Sequence, residues 1–415
     1  MARISHKKEL DNMNRKTLPL IIIILLIFSL FPNLFIKGEQ SNIVKAQDVF
    51  TPMNGDTSNW WDEDWSYRKL ITFNSSQIPS TLTNFPVVYN VTDSDLSEAQ
   101  SDADDFVFIS YADNSTQYNH EIEHFDDGTN ELVAWINITS LSSSSDTKVW
   151  MYYGNNDCSN QENVAGTWNN DFLAVWHMDD ASGGIDDSTG NYDGTEEGTP
   201  AYEQDGVIGL AIDLDEDVDY FKFSDTGWID GTNDFTMEVY MNTDTVTTES
   251  FAIQTRDEST TGIRFRLNEL QFVTIDGGGQ DNLDSITPST DTWYHCVAVY
   301  DADVGKKLYV DYSNSYSNSR KGAFTSQSQF NAVGGADWSG GNPIHGFDGT
   351  LDEVRLYKTA VSDAWIETSY NSMNNATNGG FFNTGDEILG PKSWYDSNWN
   401  YAKTVSYTHL TLPTN

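Results

Sequence analysis

Residues 120–124 read His120-Glu121-Ile122-Glu123-His124, a literal H-E-x-x-H. On a helix that spacing puts two imidazoles on one face, where they bind zinc while Glu121 serves as general base. The flanking residues argue for a strand instead. Asp126-Asp127-Gly128 interrupts the chain soon after His124. On a strand the two histidines stand roughly 13 Å apart, at about 3.3 Å per residue, too far for one ion to bridge. A second acidic run, Asp213-Leu214-Asp215-Glu216-Asp217, alternates in the manner of a carboxylate pair flanking a glycosidic bond. That pattern wants Glu at its outer positions, and here they are Asp. As a calcium loop of the EF-hand kind it also fails: Val218 stands where Gly is needed and Ser224 where a bidentate Glu is needed. Aromatic residues make up 13% of the chain, enough to ask which of them could stack on a sugar ring. Trp135, Trp150, Trp176 and Trp293 fall inside strand-like runs and are expected in cores. Trp228 and Trp338 fall between such runs and are the candidates for ligand contact. No Ser/His/Asp or Cys/His arrangement, phosphate loop or dinucleotide fingerprint has supporting context.

The elements that must position these groups are strands. Runs of five to eight residues rich in Val, Ile, Phe, Tyr and Trp recur between clusters of Asp, Asn, Gly and Ser, which predicts an all-β chain of two consecutive antiparallel β-sandwiches. The first is expected at 59–155, with strands near 67–73, 85–91, 105–111, 118–125, 131–138 and 147–153. Residues 156–166 are polar and read as a linker. The second sandwich is expected at 167–387, with about a dozen short strands and one helix. Ser362 caps that helix and Asp363 sits in its first turn. A phrase, W-[WY]-D-x-[DN]-W-x-Y-x-K, occurs at Trp60–Lys69 and again at Trp394–Lys403, so 393–404 reads as the start of a truncated repeat of the first domain. Residues 405–415 read as an in-frame adapter translation and are left out of fold reasoning.

Several phrases carry a family resemblance. They are Ala174-Val175-Trp176-His177-Met178, Asp187-Ser188-Thr189-Gly190-Asn191-Tyr192-Asp193-Gly194, Gly209-Leu210-Ala211-Ile212-Asp213-Leu214, Trp293-Tyr294-His295-Cys296-Val297-Ala298-Val299-Tyr300 and Gly349-Thr350-Leu351-Asp352-Glu353-Val354-Arg355-Leu356-Tyr357. With them, 167–387 resembles LamG-like, concanavalin A-like jelly-roll domains. The opening phrase, Asn84-Phe85-Pro86-Val87-Val88, Tyr118-Asn119-His120-Glu121-Ile122-Glu123 and Tyr152-Tyr153-Gly154-Asn155 make 60–155 resemble a domain of unknown function (DUF2341-like) of archaeal and bacterial surface proteins. The second resemblance supplies architecture and no chemistry. The first implies a structural calcium ion near the sandwich rim, with Asp179, Asp187 and Asp352 as candidates. The bland alternative makes Asp187 an Asx-turn residue and pairs Asp352 with Arg355, or lets it cap a bulge. The resemblance also places the Asp213 run in a turn where acids are not catalytic.

Address and charge complete the reading. Arg3, Lys7, Lys8, Arg15 and Lys16 precede an apolar run at 18–36, and Val44-Lys45-Ala46 offers small residues for cleavage. Residues 1–46 are therefore expected to be a signal peptide or an N-terminal membrane anchor, with the remainder secreted or at the cell surface. The chain has 63 Asp plus Glu against 22 Lys plus Arg, and seven of those bases lie before residue 47, so no basic face is left for nucleic acid. The two cysteines, Cys158 and Cys296, do not make a disulfide framework. Sequons at Asn74, Asn90, Asn114, Asn137 and Asn375 suit a glycosylated exported protein. Together these features predict a non-catalytic surface protein that binds polysaccharide or cell-surface glycans. A structural spacer of a surface array is the first alternative and a glycoside hydrolase or lyase the second.

Overall fold

A computed structural model describes residues 60–391, apart from 169–170, 216–217, 224–227, 229–233, 247–248, 256–260, 267–268, 277–278, 322–330, 336, 340–341 and 377. The expected leader at 1–46, the expected repeat start at 393–404 and the segment 405–415 lie outside the described residues.

The first sandwich is built from β1 (Tyr67–Phe73), β2 (Phe85–Thr92), β3 (Val107–Ser110), β4 (His120–Asp126), β5 (Glu131–Ile138) and β6 (Thr147–Tyr153). These are the β-branched and aromatic runs of the sequence, which suit a pleated, half-buried surface. A short helix, α1 (Val164–Thr167), follows. The second sandwich then runs through β7 (Phe172–Trp176), β8 (Thr195–Glu197), β9 (Ala201–Asp205), β10 (Leu210–Leu214), β11 (Tyr220–Lys222), β12 (Asp234–Thr243), β13 (Ser250–Thr255), β14 (Thr261–Arg266), β15 (Glu269–Asp276) and β16 (Gly279–Asp284). It continues with β17 (Trp293–Asp301), β18 (Gly305–Val310), β19 (Asn314–Asn318), β20 (Asn331–Val333), β21 (Asp337–Ser339), β22 (Asn342–Ile344) and β23 (Gly349–Tyr357). Helix α2 (Asp363–Asn374) and two short strands, β24 (Phe382–Thr384) and β25 (Ile388–Leu389), close the described chain.

All strand pairings between these elements are antiparallel. In the first sandwich a sheet ordered β24-β1-β6-β3 faces a sheet ordered β2-β5-β4. Phe73, Phe85, Val87, Phe106, Phe108, Ile136 and Met151 fill the space between them. In the second, a sheet ordered β19-β18-β17-β12-β23-β10-β9, with β7 also on β23, faces one ordered β16-β15-β14-β13-β20-β11-β8. Period-two alternation sorts β17: Cys296, Ala298 and Tyr300 enter that core, while Val297 and Val299 face outward onto Ile366 of α2. The Ser362 hydroxyl accepts from the Trp365 N–H at 3.2 Å, the cap that the sequence predicts. The result is the concanavalin-type jelly roll expected from the sequence, behind a smaller sandwich.

One segment departs from its expected place. The second sandwich is expected to extend to residue 387, yet β24 within that span pairs with β1 of the first, as does β25 just beyond it, in registers Phe73↔Phe382 and Tyr67↔Leu389. The edge of β1 would otherwise carry unpaired N–H and C=O groups. Phe381 and Phe382 are fully buried in the first core. The chain thus enters the first sandwich, builds the second, and returns to seal the first. Phe382→Ala is expected to cost about 3–5 kcal/mol, the usual range for deleting a buried ring. Denaturant unfolding followed by near-ultraviolet circular dichroism checks this. An unaltered midpoint would mean that β24 does not close the first core.

Candidate functional site

Strand alternation explains the H-E-x-x-H phrase. On β4, His120 and Ile122 turn into the first core, where the His120 ring meets Phe108 edge-on with centroids 5.0 Å apart. Burial pushes His120 down to about 4, against the pull of the Tyr118 and Phe106 backbone, so its imidazole is neutral near pH 7. A bulge between Ile122 and His124 then breaks the register. The strand, rather than a helix, removes the zinc-protease geometry. Glu121 and Glu123 turn the other way, onto the outer face of β2-β5-β4. Trp135 of β5 shares that face, and the face packs against the second sandwich through Val133, Trp135, Val175, Tyr240 and Tyr357.

The second sandwich answers from β7 and β23. Trp176 and Met178 enter its core, so His177 between them faces the first sandwich. β23 carries a bulge opposite β12. Glu238 pairs with Arg355 and Tyr240 with Asp352, so β12 advances two residues while β23 advances three. Glu353 takes the extra position with φ +48°, a left-handed conformation rare for a residue with a side chain. The bulge breaks the in–out alternation. Leu351 and Val354 enter the core, whereas Asp352, Glu353 and Arg355 share the outward face.

These side chains converge on one imidazole. His177 Nδ1 lies 2.9 Å from Glu353 Oε1 and 3.4 Å from Glu123 Oε2, and Nε2 lies 3.3 Å from Glu121 Oε2. The ring stacks on Trp135 at 5.7 Å. Trp135 Nε1 donates to Glu123 at 2.6 Å, Ser188 Oγ donates to Glu121 at 2.7 Å, and Trp168 Nε1 also donates to Glu121. Arg355 binds Glu353 and lies over the Trp135 ring at 4.4 Å. His177 is 4% exposed and Glu353 0%, so bulk water has little access to the cluster. Gly209 closes it. With φ +54°, a Cβ there would fall 2.6 Å from Glu123 Oε1. Glu123, His177 and Glu353 each offer a ligand atom within 4.8 Å of the others, a spacing one metal ion could bridge.

Burial alone would lower His177, but Glu353, Glu121 and Glu123 outweigh it and hold the imidazole well above its ordinary value. Burial would raise Glu121, yet His177, Ser188 and Trp168 keep it below the usual carboxylate value. Glu123 stands well above that value, through burial and the charges of Glu353 and Asp179, which outweigh the pull of His177. The network continues under α2. His295 Nε2 lies 2.7 Å from Glu238 Oε1, Ser369 Oγ donates to Glu238 at 2.6 Å, and the Tyr357 hydroxyl donates to its other oxygen. Burial opposes ionisation of Glu238, but these partners and Arg355 bring it from 4.5 down to about 2.

The residues singled out in the sequence fare differently. Asp187 does not reach this centre. Its oxygens accept from the N–H groups of Val175, Thr189, Asn191 and Tyr192 and from the Thr189 hydroxyl, which makes it the organiser of its own loop. Asp352 Oδ2 accepts from Val207 and Ile208 N–H, and Arg355 pairs with Glu353 instead of Asp352. Asp179 is half-buried beside the cluster, with Glu353 and Glu121 close enough to help raise it beyond what burial does. Trp228 is no ligand platform: it is 2% exposed and packs on Trp176 and Phe223 in the second core. Trp338 lies on β21, and its side chain is outside the described residues. Asn137 cannot carry a glycan, since it is 5% exposed and its Nδ2 donates to the Thr167 carbonyl at 2.7 Å. Asn74, Asn90, Asn114 and Asn375 are half-exposed. Cys158 and Cys296 are both free, the second in the core. The centre itself was missed. Its signals were two Glu at i and i+2 on a strand, a His inside the apolar run 174–178, and an acid pair next to Arg355.

Arg355→Met is expected to destabilise the chain by about 3–5 kcal/mol, because it removes one of the two cations that balance the buried Glu353 carboxylate. Urea unfolding checks it. Glu238, held at about 2 against an ordinary 4.5, stabilises the fold above pH 4.5 and loses that contribution as pH falls toward 2. Glu238→Gln is therefore expected to flatten the acid limb of a stability-versus-pH curve. An unchanged acid limb would contradict this assignment.

Residues 215–367 match the family model for the concanavalin A-like lectin/glucanases superfamily, and residues 102–192 match that for a domain of unknown function (DUF2341). No curated protein matches the chain. Among solved structures the chain is similar to domain 4 of AbnA, a GH43 extracellular arabinanase from Geobacillus stearothermophilus, in complex with arabinotriose. The identity is 21%, covering 48% of this chain and 97% of that one, with a TM-score of 0.36. It is also similar to the binding domain of botulinum neurotoxin DC in complex with SialylT, at 9% identity over 51% of this chain and 52% of that one, with a TM-score of 0.41. The receptor binding domain of botulinum neurotoxin type G gives 11%, 48%, 51% and 0.38 for the same quantities. The chain spans about half the length of these two neurotoxin domains. On the two family matches, this chain carries a DUF2341 domain followed by a domain of the concanavalin A-like lectin/glucanases superfamily.

Proposed function

We propose that this chain is a non-catalytic, secreted or cell-surface protein that binds glycans through its concanavalin A-like domain. The observation that carries the reading is the match of 215–367 to a superfamily named for lectins and glucanases. Binding is favoured over hydrolysis by where the carboxylates lie. A glycosidase needs two carboxyl groups facing each other across an open cleft, about 5–5.5 Å or about 6.5–9.5 Å apart. The Glu121, Glu123 and Glu353 carboxylates are grouped, but they are sealed between two sandwiches, where a sugar chain cannot enter. Asp213 accepts from the Thr350 hydroxyl at 3.1 Å on a neighbouring strand of the same sheet, which is a structural use. The leader at 1–46 supports export, and the excess of acids over bases supports a surface that tolerates salt and divalent cations. Calcium bridging between acidic loops and sugar hydroxyls belongs to the same reading.

Retention of the full chain on immobilised polysaccharides and on a broad glycan array tests this. Saturable binding that weakens on chelation by EGTA is expected, with no release of reducing sugar. Failure to bind any glycan would favour the structural-spacer alternative, and release of sugar would overturn the non-catalytic assignment.

A further inference from the structure

The joint between the two sandwiches gathers more carboxyl groups than it has cations to pair with them. Among the described residues, the cations that Glu121, Glu123, Glu353 and Asp352 meet are His177 and Arg355. Burying unbalanced charge is costly, so such groups are paired, protonated or ligated to metal. Three geometric features favour the last. First, two carboxylate oxygens, of Glu353 and Glu123, crowd the single nitrogen Nδ1 at 2.9 and 3.4 Å, although one N–H serves one acceptor well. Two ligands each about 2.1 Å from a tetrahedral ion lie about 3.4 Å apart. Second, the opposite ring nitrogen faces Glu121, which Ser188 and Trp168 hold in place. Metal-bound histidines typically donate their second N–H to such a carboxylate, which turns the other lone pair toward the ion. Third, Glu123 Oε1 has no hydrogen-bond partner although its side chain is fully buried.

We propose that Glu123, His177 and Glu353 form a structural site for one zinc-class divalent cation that clamps the first sandwich to the second, with Glu121 as the positioning carboxylate behind His177. The imidazole together with two carboxylates suits zinc better than calcium, which prefers oxygen alone. Ligands come from β4 of one sandwich and, in the other, from β23 and the residue that follows β7, so the ion couples their folding. Because the site is sealed, loading accompanies folding. The proposal goes beyond glycan binding and stands or falls separately from it.

The test is to unfold the full chain in denaturant with EDTA, refold it, and titrate it with cobalt(II), whose visible absorption reports coordination, followed by zinc competition. One cobalt per chain is expected, displaced by zinc, with a higher unfolding temperature when loaded. Glu123→Gln and His177→Ala are expected to lose the band, while Glu121→Gln retains it with affinity lowered about 10–100-fold. Circular dichroism separates lost binding from lost folding. Because those two variants remove ligands from different sandwiches, the wild-type stoichiometry decides if either misfolds. A folded wild-type chain that takes up neither cobalt nor zinc at one equivalent overturns the proposal, and so does uptake that folded Glu123→Gln or His177→Ala leaves unchanged.

Discussion

A charged group between two apolar sheet faces has no water to solvate it, so its partners must be placed within hydrogen-bond reach. The joint of this chain is organised by that requirement. His177 lies among three glutamates, Arg355 lies against Glu353 and over Trp135, and Trp168 and Ser188 fix the remaining oxygens. An apolar ring that includes Val133, Val175, Ile208 and Tyr357 surrounds them. The ring supplies burial, and the polar centre sets how the two sheets must be aligned, because a shift of one residue would point every charge into a core.

The backbone is bent to serve that alignment. Glu353 accepts a left-handed φ within a strand, and Met178 does the same directly after His177, at φ +66°. Such conformations cost of order 1–3 kcal/mol and persist where surrounding contacts over-determine them. At both places the neighbouring residues are core anchors: Trp176 and Met178 on one side, Leu351 and Val354 on the other. The strain turns an ordinary in–out strand into one that presents Asp352, Glu353 and Arg355 together.

The same economy appears at the chain's return to its first sandwich. Strands β24 and β25 cover the edge of β1, while α2 covers the outer face of the large sheet. Both sandwiches therefore depend on a C-terminal stretch most of which the sequence places in the second. Nothing in Phe381-Phe382 marks which core it enters, because an apolar pair fits either.

Alternating apolar residues were enough to identify the strands of the first sandwich, since period two is a property of the strand itself and needs no partner, whereas polar strands of the second such as Gly279–Asp284 and Asn314–Asn318 carry no such signal. The capped helix at 363 and the strand character of 120–124 were legible for the same local reason. Resemblance carried the two domain types. What the sequence could not decide is which outward faces meet. Glu121, His177 and Glu353 are far apart along the chain, and each reads as an ordinary solvated polar residue on its own strand. Trp228 likewise reads as a loop aromatic, although its ring is buried in the second core. Only tertiary packing removes water from these groups. Removing water is what turns dispersed polar residues into a centre with shifted acidities and an exposed-looking tryptophan into core.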